Sequence, residues 1–488
     1  MPSQIPQEEI DSIYDTIKSV KGYSLNEATR YLEKDPIGYL SSEAIHSYVL
    51  YYLTEYATTL GELGEIPLSV AEEIQGITRK DVPFKAADDY EAKIGHDMRG
   101  VVKAFQDVLG NEAKSFVYPG FTTYDPLNTA QSLALRDFGR ELIIPKTKEY
   151  VYNLMEKVED HIDTVMMGRT HKQHATVTTV AHWAYEIIGG IIPALRNYDH
   201  AISELRGKAS GFVGNNAARK LLFDTDPEKI DKLFFEKIGL ERDDMTGQTV
   251  HHYYYQNYLQ QLSGICAGIA KFAEDLRNYQ QTEVGEMAEK ALSNQVGSST
   301  GAHKLNPIKS EQMAGMRIRQ MKAYLFAAFD DYITDFQRDL RDSANKRICF
   351  HGMGNMAYGT IKIASRVAKN MTIRKEKMLQ NIGLTGGLII AEPLQNALQR
   401  YIGFNSEKYG FIDAHEHVRE ISRSIIDSGE GSFLDAIRED ELITKCLNSL
   451  DDEKRELILV PEKYIGDSIE AVERKKQEWT EELEKLTA

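Results

Sequence analysis

The longest stretches of the chain carry apolar residues at helical rather than alternating intervals. In "YLQQLSGICAGIAKFAEDLRNYQ", residues 258–280, apolar side chains recur three or four positions apart. They are Leu259, Leu262, Ile265, Ile269, Phe272 and Leu276. This stripe predicts a long helix whose apolar face packs in a core.

Other segments show where further long helices begin. In "YDPLNTAQSLALRDFGRELI", Asp125 is a candidate N-cap and Pro126 a candidate first helical residue. A third helix is expected after "RTHKQHATVTT", residues 169–179, and a fourth after Pro307. Long helices joined by short polar connections are typical of bundles with antiparallel neighbours. The pattern therefore predicts a mainly α fold around a central long-helix bundle.

The length and the change in helix length along the chain predict its division into domains. A chain of 488 residues is too long for one ordinary core and suggests about two to four units. We expect an N-terminal helical domain over 1–115, the central bundle over 116–365 and a C-terminal helical domain over 366–488. Breaks at "GLTGG" (383–387) and "GFNSEKYG" (403–410) indicate short helices in the last domain.

Composition narrows the class of protein. With 42% hydrophobic and 27% charged residues, the chain has the make-up of a soluble globular protein. The 58 Lys and Arg against 74 Asp and Glu give a net charge of −16, which disfavours a broad nucleic-acid-binding face. The N-terminus lacks a signal-peptide pattern, and no apolar run is long enough to span a membrane. Three cysteines without a CxxC pair suggest neither disulfides nor a zinc site, so we expect a cytoplasmic protein.

Polar islands interrupt the helical pattern and are the candidates for chemistry. They are "IGHDMRG" (94–100), "GFTTYD" (120–125), "GRTHKQHATVTT" (168–179) and "VGSSTGAHKLNP" (296–307). The last contains hydroxyls, a cation at Lys304 and an amide at Asn306, with little to bury. A polar loop of this kind usually belongs to function.

The second island has two readings. Thr122 and Thr123 stand just ahead of a helix start, where hydroxyls and backbone N–H groups suit a carboxylate or phosphate. Simple capping of the helix explains the same residues.

The third island places His171 and His174 three residues apart. That spacing can put both rings on one helix face as metal ligands, but no HExxH pattern or nearby carboxylate completes such a site. A histidine acting alone as acid or base suits neutral pH better. A structural role remains the third alternative.

A cationic segment, "FQRDLRDSANKRICF" (336–350), follows the last island. Arg338, Arg341, Lys346 and Arg347 surround Ser343 and can form the local cluster that an anion needs. A solvated helix face explains the charges equally well. The hydroxyl and amide of the "SAN" triplet add donors that a merely solvated face does not require.

Together these motifs resemble a known family. "GSSTGAHKLNP" is similar to the mobile-loop motif of the superfamily of fumarase, aspartase and argininosuccinate lyase. Six further features resemble the adenylosuccinate lyase branch, in that family's order and from about residue 30 to the C-terminus. They are Arg30–Tyr31, "GFTTYD", "GRTHKQH", "TGQT" (246–249), "TEVGE" (282–286) and "RDSANKRIC".

The resemblance implies a fold, an assembly and a reaction. The fold is three helical domains whose middle domain contributes to a twenty-helix core in a homotetramer, with each active site shared by three subunits. The reaction is β-elimination of fumarate from adenylosuccinate, giving AMP, and from the succinyl-carboxamide ribotide of purine synthesis (SAICAR), giving AICAR. No cofactor and no metal are implied.

The resemblance also assigns roles by motif position. Ser298 matches the general base and His171 the general acid, while Glu311 matches a group that polarises a histidine, here His96. Lys304 and Asn306 match groups that hold the succinyl carboxylates. The matched nucleotide and substrate contacts are Arg30, Tyr31, Asp97, Thr122, Thr123, Thr170, Gln248, Arg338, Ser343 and Arg347.

Three departures and three rival functions accompany the resemblance. Gly301–Ala302 stands where the family usually has Met-Pro, Asn215 follows Gly214 where Thr is usual, and Gly95 replaces an Arg. A sister lyase for argininosuccinate, aspartate or fumarate, or a carboxymuconate cycloisomerase, has little use for a phosphate cluster. A non-catalytic helical protein has no need to keep both Ser298 and His171.

Overall fold

The computed structural model describes residues 5–19, 30–291, 297–330 and 334–486. Val296 of the loop motif and residues 1–4 and 20–29 of the expected N-terminal domain lie outside the described residues. The fold is mainly helical, as the sequence pattern predicts. No helix in the described ranges is long and apolar enough to cross a membrane.

The first half of the chain forms helices of 4 to 24 residues. They are α1 (Gln7–Ser19), α2 (Ile37–Leu40), α3 (Ser42–Glu62), α4 (Leu68–Gln75), α5 (Phe84–Ile94), α6 (Asp97–Asp107), α7 (Tyr124–Phe138), α8 (Ile144–Glu159), α9 (Val180–Ser203), α10 (Ala217–Leu222) and α11 (Pro227–Ile238). A 3₁₀ turn at Ala113–Phe116 precedes α7, and a π-helical turn at Gly139–Ile143 joins α7 to α8.

The second half begins with the longest helices and continues with shorter ones. They are α12 (His252–Tyr279), α13 (Ile308–Glu311), α14 (Ile318–Asp330), α15 (Arg341–Asn370), α16 (Lys375–Ile382), α17 (Ala391–Phe404), α18 (Ser406–Tyr409), α19 (Ala414–Ser428), α20 (Phe433–Glu439), α21 (Glu441–Asn448), α22 (Asp452–Leu459) and α23 (Ser468–Lys485). A π-helical turn, Gln312–Arg317, joins α13 to α14, and 3₁₀ turns occupy Gly383–Thr385, Leu388–Ile390 and Pro461–Lys463.

Short strands complete the fold. An antiparallel hairpin joins β1 (Val165–Thr170) to β2 (Gln173–Thr179), with its register shifted between Met167 and Arg169. The other pairs are β3 (Arg206–Gly207) with β4 (Glu241–Arg242), parallel, and β5 (Met287–Ala288) with β6 (Thr372–Ile373), antiparallel.

The predicted stripe of α12 is confirmed as core. All six of its apolar side chains are buried, and they join one large hydrophobic cluster that also contains side chains of α3, α7, α8, α9 and α15. A second cluster belongs to the C-terminal helices. Met167 and Val177 of the hairpin are buried in that second cluster, so the hairpin connects the two.

Helices α12 and α15 run in the same direction and define two ends of the bundle. Near their first residues, His252 Nε2 lies 3.4 Å from Lys346 Nζ. Beyond their last residues, the Glu286 N–H donates to the Tyr279 carbonyl at 3.0 Å, and the Arg374 N–H donates to the Glu286 carbonyl at 2.9 Å. We call these the amino end and the carboxyl end of the bundle. A 30-residue helix such as α15 separates them by about 45 Å.

The start of α7 differs from the sequence prediction. The helix begins at Tyr124 with Thr123 in the N-cap position, so Asp125 and Pro126 lie inside the first turn. The Asp125 carboxylate still accepts the Thr122 backbone N–H at 2.7 Å. It does so from within the helix because a buried lysine, Lys208, holds it there at 2.5 Å.

Candidate active site

Tyr124 organises a polar surface at the amino end. The guanidinium carbon of Arg338 lies 3.7 Å from the Tyr124 ring centroid, a close cation–π contact. Arg338 also donates to Gln248 Oε1 at 3.0 Å. The Tyr124 hydroxyl bonds to Ser343, and burial raises the pKa of Tyr124 above its ordinary value. Three predicted substrate contacts thus surround one tyrosine that the sequence reasoning did not single out.

Three further predicted residues extend this surface. Arg347 donates to the Asp97 carboxylate at 2.7 Å, joining α15 to the first turn of α6. His96 is the N-cap of α6, and its Nδ1 accepts the Arg99 N–H at 3.4 Å. The His96 ring is half exposed, so it is available to a molecule at this surface.

The threonine island lies on the same side of the bundle, just before Tyr124. Thr123 occupies the N-cap position but makes no side-chain cap bond. Asp125 ties the segment to the loop after β3, because it accepts the Gly211 N–H at 3.1 Å as well as the Thr122 N–H. Simple capping by the Thr123 hydroxyl is therefore not what this segment does.

The predicted cationic cluster around Ser343 is smaller than the sequence suggests. Arg341 points to Asp339, with donor distances of 2.6 and 3.0 Å, on the exposed side of the helix start. Lys346 is buried and donates to Asp342 at 2.8 Å. On a helix, positions 341 and 347 are about 120° apart around the axis, so the Arg341 and Arg347 side chains leave different faces.

The hairpin carries His171 at the carboxyl end. His171 and Lys172 form the turn, with φ values of 51° and 63°, and His171 is exposed. His174 lies in β2 opposite Arg169, so the two histidines do not share the helix face that the metal-ligand alternative requires. Burial, and next the Arg169 charge, lower the pKa of His174. Within the described ranges no group of three His, Cys, Asp or Glu residues is placed to hold a metal.

The glycine-rich loop holds Ser298 against its own backbone. Ser298 Oγ accepts the Gly301 N–H at 3.0 Å and the Thr300 N–H at 3.3 Å. Asn306 closes the loop by donating to the Gly297 carbonyl at 2.9 Å. Backbone donors aimed at an oxygen favour its anionic form, which a serine acting as a base requires.

A glycine is necessary at the first position of this loop. A Cβ on Gly297 would lie 2.3 Å from the Lys304 carbonyl oxygen. Gln280, just after α12, donates to the Leu305 carbonyl at 2.9 Å and places the loop at the carboxyl end. Lys304 is exposed on the loop, and Glu311 is exposed at the end of α13.

Arg30 and Tyr31 occupy a third place. They line a cavity of about 950 Å³ with Lys309 and Gln312, which follow the Ser298 loop. The Tyr31 carbonyl accepts from Asn355 of α15 at 2.9 Å.

One chain therefore distributes the predicted site residues over both ends of its bundle. His96, Asp97, Gln248, Arg338, Ser343 and Arg347 lie at the amino end. His171 and Ser298 lie at the carboxyl end, which is about 35 Å from Arg347 along α15. These two groups cannot contact one small substrate within a single copy.

Sequence reasoning missed three sets of residues around the site. Tyr124 and Glu286 stand inside the quoted motifs "GFTTYD" and "TEVGE", so the motifs themselves were the available signal. The ion pair between Asp125 and Lys208 has no such signal, because its members are 83 residues apart.

The sequence profile of a family described as Lyase matches residues 37–321. The adenylosuccinate lyase of Pyrococcus abyssi is 33% identical over 418 residues, covering 84% of this chain and 88% of that protein. The adenylosuccinate lyase of Thermotoga maritima is 31% identical over 391 residues, covering 79% and 85%.

Solved structures share the fold at lower identity. The 3-carboxy-cis,cis-muconate lactonizing enzyme of Pseudomonas putida has a TM-score of 0.79 at 21% identity, covering 95% of this chain and all of that one. The fumarate lyase of Mesorhizobium sp. BNC1 has a TM-score of 0.77 at 21% identity, covering 91% and 97%. The fold and the matching profile define the chain as a lyase. Within that class, the chain belongs to the adenylosuccinate lyase family.

Proposed function

We propose that this protein cleaves adenylosuccinate to AMP and fumarate, and SAICAR to AICAR and fumarate. The observation that carries the proposal is the amino-end surface. It gathers Arg338, Ser343 and Arg347 beside Gln248 and Asp97, as a phosphate-bearing substrate needs. Argininosuccinate, aspartate and carboxymuconate carry no phosphate and have little use for these groups.

The reaction divides between a base and an acid. Ser298 removes the proton next to a succinyl carboxylate, and the carbanion's electron pair then forms the fumarate double bond as the C–N bond breaks. The two backbone N–H groups on Ser298 Oγ favour the alkoxide, the form of the serine that can accept this proton. His171 gives the proton to the leaving nitrogen.

The remaining predicted residues orient the substrate. Lys304 and Asn306 hold the carboxylates, where negative charge develops in the transition state. Glu311 polarises His96. Thr122, Thr123 and Thr170 complete the set of orienting hydroxyls, and Arg30 with Tyr31 adds contacts to the nucleotide.

The active form in this proposal is a homotetramer whose sites each draw on three subunits. The separation of the two groups of site residues by about 35 Å supports this assembly, because closed symmetry can bring the carboxyl end of one copy to the amino end of another. A cytoplasmic location accompanies the proposal. Cys266, Cys349 and Cys446 are buried free thiols, as suits a reducing compartment.

The direct test is ultraviolet absorbance during incubation with each candidate substrate. Adenylosuccinate and SAICAR should both be consumed, with fumarate formed in equal amount to AMP or AICAR. Argininosuccinate, aspartate and carboxymuconate are the comparison substrates. Turnover of any of them at a higher kcat/KM than adenylosuccinate would overturn the proposal.

Arg347→Ala is expected to raise KM for adenylosuccinate more than it lowers kcat. The guanidinium binds the phosphate alike in the ground and transition states, so its loss weakens binding without slowing the chemistry. A rise of roughly 10- to 100-fold corresponds to one lost charged hydrogen-bonding group.

Arg341→Ala is the matched control for this change. The Arg341 side chain is 59% exposed, and that of Arg347 is 61% exposed. Arg341, however, pairs with Asp339 and lies away from the amino-end surface. Steady-state kinetics of both variants should separate them. An equal rise in KM for Arg341→Ala would show that the phosphate is not bound specifically by Arg347.

A further inference from the structure

A buried carboxylate grips the strand that leads to His171. Glu286 is fully buried and accepts both arms of the Arg169 guanidinium, at 2.6 and 2.9 Å. Asn381 of α16 donates to the same carboxylate at 2.7 Å. A bidentate pair of this kind fixes direction as well as distance.

The local backbone aims Arg169 at this carboxylate. The register shift between Met167 and Arg169 is a bulge, and such bulges redirect side chains. The extra residue belongs to β2, and Gly168 lies opposite it, where a Cβ would be 2.7 Å from the Thr176 carbonyl oxygen. Arg169 is two residues before His171, so its anchoring sets where the exposed turn begins.

Glu286 is itself fixed to the carboxyl end of the bundle. Its backbone carbonyl accepts the Arg374 N–H at 2.9 Å, and the next residue, Met287, pairs with Ile373. Asn381 donates to the Val284 carbonyl at 2.8 Å as well as to Glu286. The hairpin and helix α16 are thereby joined at the Glu286 carboxylate, and the segment after α15 is joined at the Glu286 backbone.

We propose that Glu286, with Arg169 and Asn381, is a positioning residue that holds the His171 turn in the geometry needed for proton transfer. This inference rests on the proposed role of His171 as the acid. Proton donors must sit within hydrogen-bond reach of the acceptor, and an error of about 1 Å costs on the order of 10²-fold in rate. Glu286 touches no substrate and acts only through the hairpin.

The first test compares Glu286→Gln with Asp231→Asn. Asp231 is 1% exposed and accepts from Arg219 at 2.5 and 3.1 Å, as Glu286 accepts from Arg169, but it is a residue of α11. Glu286→Gln should lower kcat roughly 10- to 100-fold with KM within about 3-fold, while Asp231→Asn keeps kcat near wild type. Equal kcat losses in the two variants would show that Glu286 has only a structural role.

Arg169→Lys is the second variant, because Arg169 is partly exposed and its replacement keeps the charge. It should fold, retain KM and show a smaller fall in kcat than Glu286→Gln. A lysine ammonium cannot reproduce the bidentate contact of the Arg169 guanidinium with Glu286. A wild-type kcat in a folded Arg169→Lys protein would therefore overturn the proposal.

The second test measures whether activity returns when subunits of two impaired variants are mixed and allowed to exchange. Glu286→Gln mixed with His96→Ala should regain activity. Each variant has an intact set of site residues at the end of the bundle where the other is altered, so a shared site can take one intact set from each. Glu286→Gln mixed with His171→Ala should not, since both substitutions impair the same His171 turn. Recovery in the second mixture would overturn the proposal. If His96→Ala and His171→Ala fail to rescue each other, the shared-site assembly fails instead, and the comparison with Asp231→Asn still decides the role of Glu286.

Discussion

Replacing Ser298 or His171 by Ala is expected to lower kcat by about 10²- to 10⁴-fold, with little effect on folding. Ser298 lies on a loop and accepts two backbone N–H groups, while His171 is exposed at a hairpin turn. Neither side chain supports the core. The measurements are steady-state kcat and the thermal unfolding midpoint of each purified variant.

Neighbouring residues of the same type are the controls for these two variants. Ser299→Ala keeps the loop and the Ser298 hydroxyl. His174→Ala removes the other histidine of the hairpin, whose pKa burial lowers. A kcat loss in either control as large as in its partner would mean that the base or the acid has been assigned to the wrong residue.

Recombination tests the assembly behind this prediction. When His96→Ala and His171→Ala copies are mixed under conditions that permit subunit exchange, about a quarter of the sites should receive an intact residue from each parent. Activity should therefore return to about a quarter of the wild-type value. Mixed oligomers that remain inactive after verified exchange would contradict sites shared between copies.

The long helices follow from the sequence because their periodicity is local information. Leu259, Ile265 and Phe272 repeat at helical spacing, and the structure buries all three. Arg347 lies at the amino-end surface and Arg341 does not. This difference could also have been predicted from the 100° rotation per residue, because both positions belong to one helix. Element type and face are thus largely encoded within a few turns of chain.

What could not be predicted depends on partners distant in the chain. Asp125 reads locally as a helix cap, but its position is set by Lys208, 83 residues later. The left-handed backbone at His171 and Lys172 is selected by the hairpin, which the spacing of the two histidines did not indicate. The division of the site between two ends of the bundle requires the relative directions of α12 and α15, which no local pattern specifies.

The same distant pair gives the largest expected effect on stability. Lys208 and Asp125 are both fully buried, with Nζ and Oδ1 2.5 Å apart. Lys208→Met leaves the carboxylate in the interior without its cation, so we expect the free energy of unfolding to fall by about 3–5 kcal/mol. Urea denaturation monitored by circular dichroism measures this change as a lower midpoint at constant slope.

Two comparison variants make the stability prediction specific to an unpaired buried charge. The double variant Lys208→Met with Asp125→Leu should recover much of the loss, because replacing both members of a buried pair by apolar residues is often neutral. Lys85→Met, which breaks the exposed pair with Asp89, should cost less than about 1 kcal/mol. Asp125 also accepts the Thr122 N–H at 2.7 Å, and Thr122 is a predicted substrate contact. The double variant should therefore regain stability but have a higher KM than the wild type. A double variant as unstable as Lys208→Met would show that the lysine stabilises by packing rather than by charge.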